Sequence, residues 1–166
     1  MAETSLRGNP INTVGELPVV GSTAPAFELT KSDLTPVSSA DFAGQNIVLN
    51  IFPSVDTATC ATSVRTFNER AASMENTTVV CVSADLPFAL GRFCGAEGIE
   101  DVVTTSTFRS PAFGTDYGTL MVDGPLHGVH ARAVVVIAPD GTVAHTQIVP
   151  EVPDEPDYDA AIAALS

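Results

Sequence analysis

Hydrophobic and polar positions follow two different periodicities in this chain, and the change between them marks its first well-defined unit. Residues 47–52 form a nearly continuous apolar run, which is typical of a strand covered on both faces of a sheet. Pro53 ends the run, and Asp56 and Thr57 are both residue types that favour the N-cap of a helix. Beyond them, apolar positions recur at helical spacing: Cys60, Val64, Phe67, Ala71 and Met74. The pattern predicts a buried strand, a polar turn and an amphipathic helix that carries Cys60 in its first turn.

A similar succession of strand and helix continues along the chain. Residues 78–83 are a second apolar run, and the helix after it is predicted to begin near Pro87 and to end at Gly95 or Gly98. Parallel strands joined by a helix require a right-handed crossover, so residues 47–83 are predicted to form one βαβ unit. The further predicted elements are a short strand at 102–105, a buried strand at 132–138, its hairpin partner at 142–149 and a closing helix at 157–165.

The remaining segments have weaker patterns. Their predicted elements are a hairpin over 11–20 that turns at Gly15 and Glu16, a short strand at 27–30, a loop over 31–45 and an irregular excursion over 110–128. The order βαβ followed by ββα predicts an α/β thioredoxin-like fold, in which helices flank a central sheet and a β-hairpin is added at the N-terminus. We expect a single domain over residues 1–166.

Composition and charge narrow the class of protein. The chain has 166 residues and 17.2 kDa, with 45% apolar and 16% charged residues, which is typical of one globular domain. Its net charge of −13 and its few, scattered basic residues make nucleic acid an unexpected partner. No apolar run approaches the roughly 20 residues of a membrane span, and the N-terminus lacks the pattern of a signal peptide. We therefore expect a cytoplasmic protein that does not enter a membrane.

The position of Cys60 has chemical consequences. The first turn of a helix has unpaired N–H groups and the positive end of the helix dipole, so it stabilises an anion such as a thiolate. Thr57 can direct its hydroxyl toward the sulfur or toward a substrate oxygen. Pro53 has no N–H, so it limits competing hydrogen bonds and closes one side of the site. The alternative is that Cys60 is a small buried residue on the core face of the helix.

The other cysteines differ in their predicted roles. Three cysteines are an odd number, which argues against a secreted disulfide framework. The thioredoxin pattern normally carries Cys-x-x-Cys at the start of its first helix, whereas this chain has only Cys60 there. A second redox cysteine must come from elsewhere, and Cys94 lies at the end of the next predicted helix. Cys81 is in the middle of a buried strand and is predicted to be a core residue.

The three histidines suggest two further kinds of site. His127, His130 and His145 have no carboxylate at ligand spacing, so no metal site is predicted. Cys60 together with His127 or His130 would fit a cysteine hydrolase. Neither the oxyanion site nor the base of such an enzyme has a signature in this sequence.

Several segments together resemble one family. Residues 53–60 fit the peroxiredoxin pattern Pro-x-x-x-Thr-x-x-Cys, and Arg-Phe-Cys-Gly follows at 92–95. With the segments 83–89 and 131–137, the chain most resembles the thiol peroxidase subfamily, the atypical two-cysteine peroxiredoxins. The resemblance runs from residue 8 to residue 158. It implies an enzyme that reduces hydrogen peroxide and organic hydroperoxides without a cofactor or metal.

The resemblance also implies roles for five residues. Cys60 would be the peroxidatic cysteine that becomes a sulfenic acid, and Cys94 the resolving cysteine that forms an intrachain disulfide with it. Thr57 would bond the sulfur and the peroxide oxygen, and Pro53 would shield the pocket. Arg132, at the start of a predicted strand, would stabilise the thiolate and the leaving oxygen. The implied reductant is thioredoxin, and the implied assembly is a homodimer.

Two other interpretations stay open at this stage. The two cysteines could form a thiol–disulfide redox sensor that signals through Cys60 and Cys94. The chain could also be a non-catalytic thioredoxin-fold binding module whose cysteines are structural.

Overall fold

The computed structural model describes residues 2–166, and its first element is a small hairpin that stands apart from the main sheet. Strands β1 (Glu3–Leu6) and β2 (Asn9–Asn12) pair antiparallel through a two-residue turn. The turn residues Arg7 and Gly8 have φ of 52° and 81°, and such left-handed pairs match the twist of a hairpin. The hairpin predicted over residues 11–20 is therefore wrong in position.

The segment after β2 leaves the hairpin because its backbone bonds elsewhere. The N–H of Thr13 donates to the carbonyl of Ala2, and that of Val14 donates to the carbonyl of Leu120. Pro18, which has no N–H, further weakens pairing in the predicted second strand.

A seven-stranded mixed sheet forms the centre of the molecule. In chain order its strands are β3 (Glu28–Lys31), β4 (Pro36–Ser38), β5 (Asn46–Ile51), β6 (Thr77–Ser83), β7 (Val103–Ser106), β8 (Ala133–Ile137) and β9 (Val143–Ile148). The spatial order is β4-β3-β7-β6-β5-β8-β9, with β6 parallel to β5 and to β7 and the other pairs antiparallel. The βαβ unit and the C-terminal hairpin are thus confirmed.

Within residues 2–166, four α-helices connect or flank these strands: α1 (Ala58–Ala71), α2 (Pro87–Glu97), α3 (Pro111–Asp116) and α4 (Tyr158–Ala163). The predicted apolar face of α1 is confirmed, since Cys60, Val64 and Phe67 are all fully buried. Helix α2 ends at Gly98, whose φ of 66° is the left-handed conformation favoured at such a position. None of the described helices is long and apolar enough to cross a membrane.

The predicted loop over residues 31–45 is wrong, because it contains β4 and a short 3-10 helix (Ser39–Phe42). A tight turn with Leu34 at φ 72° reverses the chain and places Val37 in the core. A three-residue edge strand is too short to give a periodic signal.

Apolar residues cover both faces of the central sheet, as the continuous apolar runs predict. Val48 and Val134 face a cluster under α1 and α2, whereas Leu49 and Val135 face the opposite cluster. A third, smaller cluster around Ile11 and Met121 anchors the N-terminal hairpin. These clusters fix the positions of the elements that surround Cys60.

Candidate active site

The turn between β5 and α1 places Cys60 in the first turn of α1, as predicted. Thr57 is the N-cap residue, with extended backbone at φ −105° and ψ 145°. Its hydroxyl makes no capping bond and instead donates to the carbonyl of Ser54 at 3.1 Å. Cys60 is 0% exposed and Pro53 is buried beside the turn.

Arg132 contacts the sulfur of Cys60 directly. Its Nη2 lies 3.2 Å from Cys60 Sγ, and its Nε donates to the carbonyl of Val152 at 2.8 Å. The pairing of Ile51 with Ala133 explains the contact, since it places the residue before β8 next to the end of β5. The guanidinium is therefore held in one orientation by two bonds.

The surroundings of Arg132 within residues 2–166 leave its charge without an acidic partner. The residue is only 1% exposed and forms no ion pair with a carboxylate among the described residues. A buried cation without a counter-charge is costly, so negative charge that develops beside Arg132 is favourable. The third nitrogen, Nη1, is buried and has no hydrogen-bond partner in the described part of the chain. It is the one nitrogen of this guanidinium that is left without a partner among the described residues.

A cavity of about 270 Å³ lies beside this pair. Pro53, Thr57 and Arg132 line it, and Leu6 and Arg7 line it from the N-terminal hairpin. The remaining wall is formed by Ala58, Thr59, Leu126, Val152 and Pro153. Four of the five predicted site residues are thus in or next to one cavity, and the contribution of the hairpin is one that the sequence did not reveal.

Asp85 is a further site residue that sequence reasoning missed. One carboxylate oxygen accepts from the hydroxyl of Ser54 at 2.6 Å. The other accepts from the N–H of Val55 at 2.9 Å and from the hydroxyl of Ser83 at 2.7 Å. Asp85 therefore ties the turn before Cys60 to the end of β6. A lone aspartate after a strand gives no sequence signal of partners so distant along the chain.

Two buried hydrogen bonds in series connect strand β5 to the backbone of Cys60. Asn50 donates to the hydroxyl of Ser63 at 3.2 Å, and that hydroxyl donates to the carbonyl of Cys60 at 2.8 Å. Asn50 also contacts Cys81 Sγ at 3.8 Å. Burial raises the pKa of the Cys81 thiol to about 12. The prediction that Cys81 is a core residue is confirmed.

Cys94 lies near the end of α2, on the helix next to α1. It is partly buried, packs against the same core cluster as Cys60, and its Sγ lies 3.3 Å from the hydroxyl of Thr104. All three cysteines are free thiols. The structure thus places Cys60 and Cys94 on neighbouring helices as separate thiols.

The histidines do not complete a site with Cys60. His130 is buried, and its two ring nitrogens lie 3.0 Å from the hydroxyls of Thr107 and Thr119. Burial lowers the pKa of His130 to about 4, so the ring is neutral at pH 7. Among residues 2–166, no group of three or more His, Cys, Asp or Glu side chains could hold a metal ion. The group at the sulfur is a guanidinium, which does not support the hydrolase interpretation.

Comparison with known proteins identifies a matching family and related chains. A model described as Redoxin matches residues 19–162. The thiol peroxidase of Mycobacterium tuberculosis is 62% identical over 165 residues, with 99% of each chain covered. The thiol peroxidase of Corynebacterium glutamicum is 59% identical over 166 residues, with 100% of each chain covered.

Solved structures give the same picture of the fold. A peroxiredoxin-like protein from Aquifex aeolicus has a TM-score of 0.93 at 39% identity, over 98% of this chain and 95% of that one. A thiol peroxidase from Chromobacterium violaceum has a TM-score of 0.88 at 21% identity, over 95% of this chain and 91% of that one. These likenesses confirm the predicted thioredoxin-like fold.

Proposed function

Since the chain belongs to the redoxin family and is an enzyme with thiol-dependent peroxidase activity, we propose that Cys60 is the cysteine that attacks the peroxide. The observation that carries this assignment is the 3.2 Å contact between Arg132 Nη2 and Cys60 Sγ in a buried pair. The thiolate forms an S–O bond while the peroxide O–O bond breaks. The sulfur is oxidised to a sulfenic acid, and the departing oxygen takes up a proton to leave as water or an alcohol.

Arg132, Thr57 and Pro53 prepare this step. Arg132 Nη1, which has no partner among the described residues, donates to the peroxide and stabilises charge that develops on the leaving oxygen. The hydroxyl proton of Thr57 is donated to Ser54, so the oxygen of Thr57 is free to accept the proton of a hydroperoxide. Pro53 closes the cavity without offering an N–H.

Cys94 completes the cycle as the resolving cysteine. Its thiol condenses with the sulfenic acid of Cys60, which forms a disulfide and releases water. A disulfide requires Cα atoms about 4.4–6.8 Å apart, and Cys60 is buried within one helix while Cys94 belongs to another. We expect the first turn of α1 and the end of α2 to unravel locally. In the chain-entropy model the bridge raises the free energy of the unfolded chain by about 3–4 kcal/mol, so the oxidised protein stays folded despite the loss of a turn or two of helix.

A dithiol protein then reduces the disulfide, and the family resemblance implies thioredoxin. The substrates are hydrogen peroxide and organic hydroperoxides.

Three free thiols are consistent with a reducing, cytoplasmic location. Leu86 and Phe88, which are 52% and 70% exposed at the start of α2, are apolar residues suited to the interface of a homodimer.

Peroxide consumption with a thioredoxin reducing system tests the assignment in four proteins: the wild type, Cys60→Ser, Cys94→Ser and the control Cys81→Ser. Cys60→Ser is expected to have no turnover. Cys94→Ser is expected to consume one equivalent of peroxide and then stop, whereas Cys81→Ser continues to cycle. Wild-type turnover in Cys60→Ser would overturn the proposal. Oxidation of the wild type without thioredoxin-driven turnover would instead favour a redox sensor.

A further inference from the structure

The tip of the N-terminal hairpin brings a second cation to the active-site cavity. Arg7 lines the same cavity as Thr57 and Arg132, although it lies in a different sheet from the strands that position Cys60. The chemistry assigned above to Cys60, Cys94, Thr57 and Arg132 does not use it. The role of Arg7 in the cavity is therefore separate from that chemistry.

The backbone of the tip is unusual and firmly held. Arg7 has φ of 52°, a conformation that residues other than glycine seldom adopt. The carboxylate of Glu151 accepts from the hydroxyl of Ser5 and from the N–H of Gly8, the latter at 3.3 Å. The bond from Ser5, followed by those from the backbone of Gly8 and Arg7, lowers the pKa of Glu151. Glu151 is thus ionised at neutral pH and fixes the backbone on both sides of Arg7.

The guanidinium of Arg7 forms no ion pair among the described residues, and the nearby carboxylate of Glu151 is bonded instead to the hydroxyl of Ser5 and the N–H of Gly8. Arg65, Arg70 and Arg92 each form an ion pair, at 2.9, 2.8 and 2.8 Å, whereas Arg7 forms none within the described residues. This occurs in a chain with 20 acidic and 7 basic residues. The described residues that line the cavity include two arginines and no acid. The lining of the cavity therefore carries positive charge on a strongly acidic protein, with the carboxylate of Glu151 beside the hairpin tip, and positive charge in a cleft attracts anions.

Apolar side chains complete the cavity. Leu6, Leu126 and Val152 line it together with Arg7 and Arg132. The cavity thus offers one cation at the reacting sulfur, an apolar wall, and another cation at the hairpin tip. A molecule that matches all three has a hydroperoxide group, an alkyl chain and an anionic group.

We propose that Arg7 is a specificity-determining residue that binds the carboxylate of organic-acid hydroperoxides while their peroxide group reacts at Cys60. The inference rests on the proposed role of Cys60. The planar guanidinium binds a carboxylate through two parallel charge-assisted hydrogen bonds. The carboxylate is unchanged in the reaction, so Arg7 accelerates only substrates that carry one.

The test compares acids with their methyl esters. The probes are the terminal hydroperoxides of hexanoic and decanoic acid and the methyl ester of each, with hydrogen peroxide as a substrate that lacks both groups. The measurement is kcat/KM for the wild type, Arg7→Gln, Arg7→Lys and the control Arg109→Gln, whose arginine lies over the ring of Phe108 and outside this cavity. The acid-to-ester ratio is internal to each variant, so a partial loss of folded protein does not change it.

We expect the wild type to prefer the acid by about tenfold for at least one chain length. In Arg7→Gln the ratio falls to about one while kcat/KM for hydrogen peroxide is unchanged; Arg7→Lys keeps part of the preference and Arg109→Gln all of it. The preference also falls when ionic strength rises, because salt screens an exposed cation. An equal ratio in the wild type and Arg7→Gln at both chain lengths would overturn the proposal. If the wild type shows no Cys60-dependent turnover with any of these peroxides, the proposed function itself is refuted.

Discussion

Arg132 Nη2 and Cys60 Sγ lie 3.2 Å apart, and neither residue is more than 1% exposed. The guanidinium is fixed by the carbonyl of Val152 and has no described carboxylate as a partner. Electrostatic stabilisation of this kind acts most strongly where water is excluded. The pair therefore connects the stability of the buried cation with the reactivity of the sulfur.

Replacing Arg132 by lysine is expected to slow the oxidation of Cys60 by about a hundredfold. A lysine has one ammonium group and cannot bond Val152, the sulfur and a peroxide with separate nitrogens. Stopped-flow measurement of the first oxidation, with Arg109→Lys as the matched control, checks this. An Arg132→Lys rate equal to that of the wild type would mean that the contact is only structural.

Replacing Asp85 by asparagine is expected to reduce the free energy of unfolding by about 1–3 kcal/mol. The three donors from Ser54, Val55 and Ser83 need two accepting oxygens, and an amide supplies only one. Urea unfolding of the reduced protein measures the change, and Asp116→Asn, at an exposed position on α3, is the control.

The same Asp85→Asn variant is expected to oxidise more slowly but to form its disulfide faster. The turn before Cys60 is less well held, so the reactive geometry is populated less and the unravelled geometry more. Rapid-quench analysis of the sulfenic acid and the disulfide separates the two steps. Parallel changes in both rates would contradict this account of Asp85.

Oxidation is expected to lower amide protection over residues 58–61 and 92–95. The disulfide requires both segments to leave their helices, whereas the fully buried strand β5 does not take part. Hydrogen exchange of the reduced and oxidised forms measures the difference, with β5 as the internal reference. Equal protection of the two segments in both forms would exclude the proposed unravelling.

His130 is expected to make stability depend on pH between about 4 and 6.5. Burial lowers its pKa from 6.5 to about 4 in the folded state, so between these values the unfolded chain binds more protons. The contribution of His130 to the free energy of unfolding is about 3 kcal/mol; it is fully present above pH 6.5 and is lost as the pH falls to 4. Urea unfolding at several pH values should show a weaker dependence in His130→Gln than in the exposed control His127→Gln.

The sequence predicts best the elements whose periodicity extends over several turns or across a buried sheet. Strand β5, helix α1 and the position of Cys60 follow from the run at 47–52 and the apolar positions after it. Only the family resemblance indicates Arg132, because its contact with Cys60 depends on the pairing of β8 with β5. The pairing of strands that lie more than 80 residues apart in the chain is not readable from local sequence patterns.

Asp85 and the hairpin tip illustrate why the rest could not be predicted. The partners of Asp85 come from two separate segments, which meet only after the sheet has formed. Gly15 suggested the wrong turn, whereas the real turn has an arginine in a conformation that favours glycine or asparagine. The residue preferences of tight turns therefore do not predict a turn at Arg7.

The two-stranded hairpin has a consequence for how this protein can change over time. Cys60 is positioned by strand β5 and helix α1, whereas part of the cavity beside it is lined by a separate sheet with strands of four residues each. Mutations at the tip can thus alter which molecules are admitted without disturbing the strands and helices that hold the sulfur. Evolution, or a protein engineer, can redirect selectivity by exchanging a few residues at the beginning of the chain.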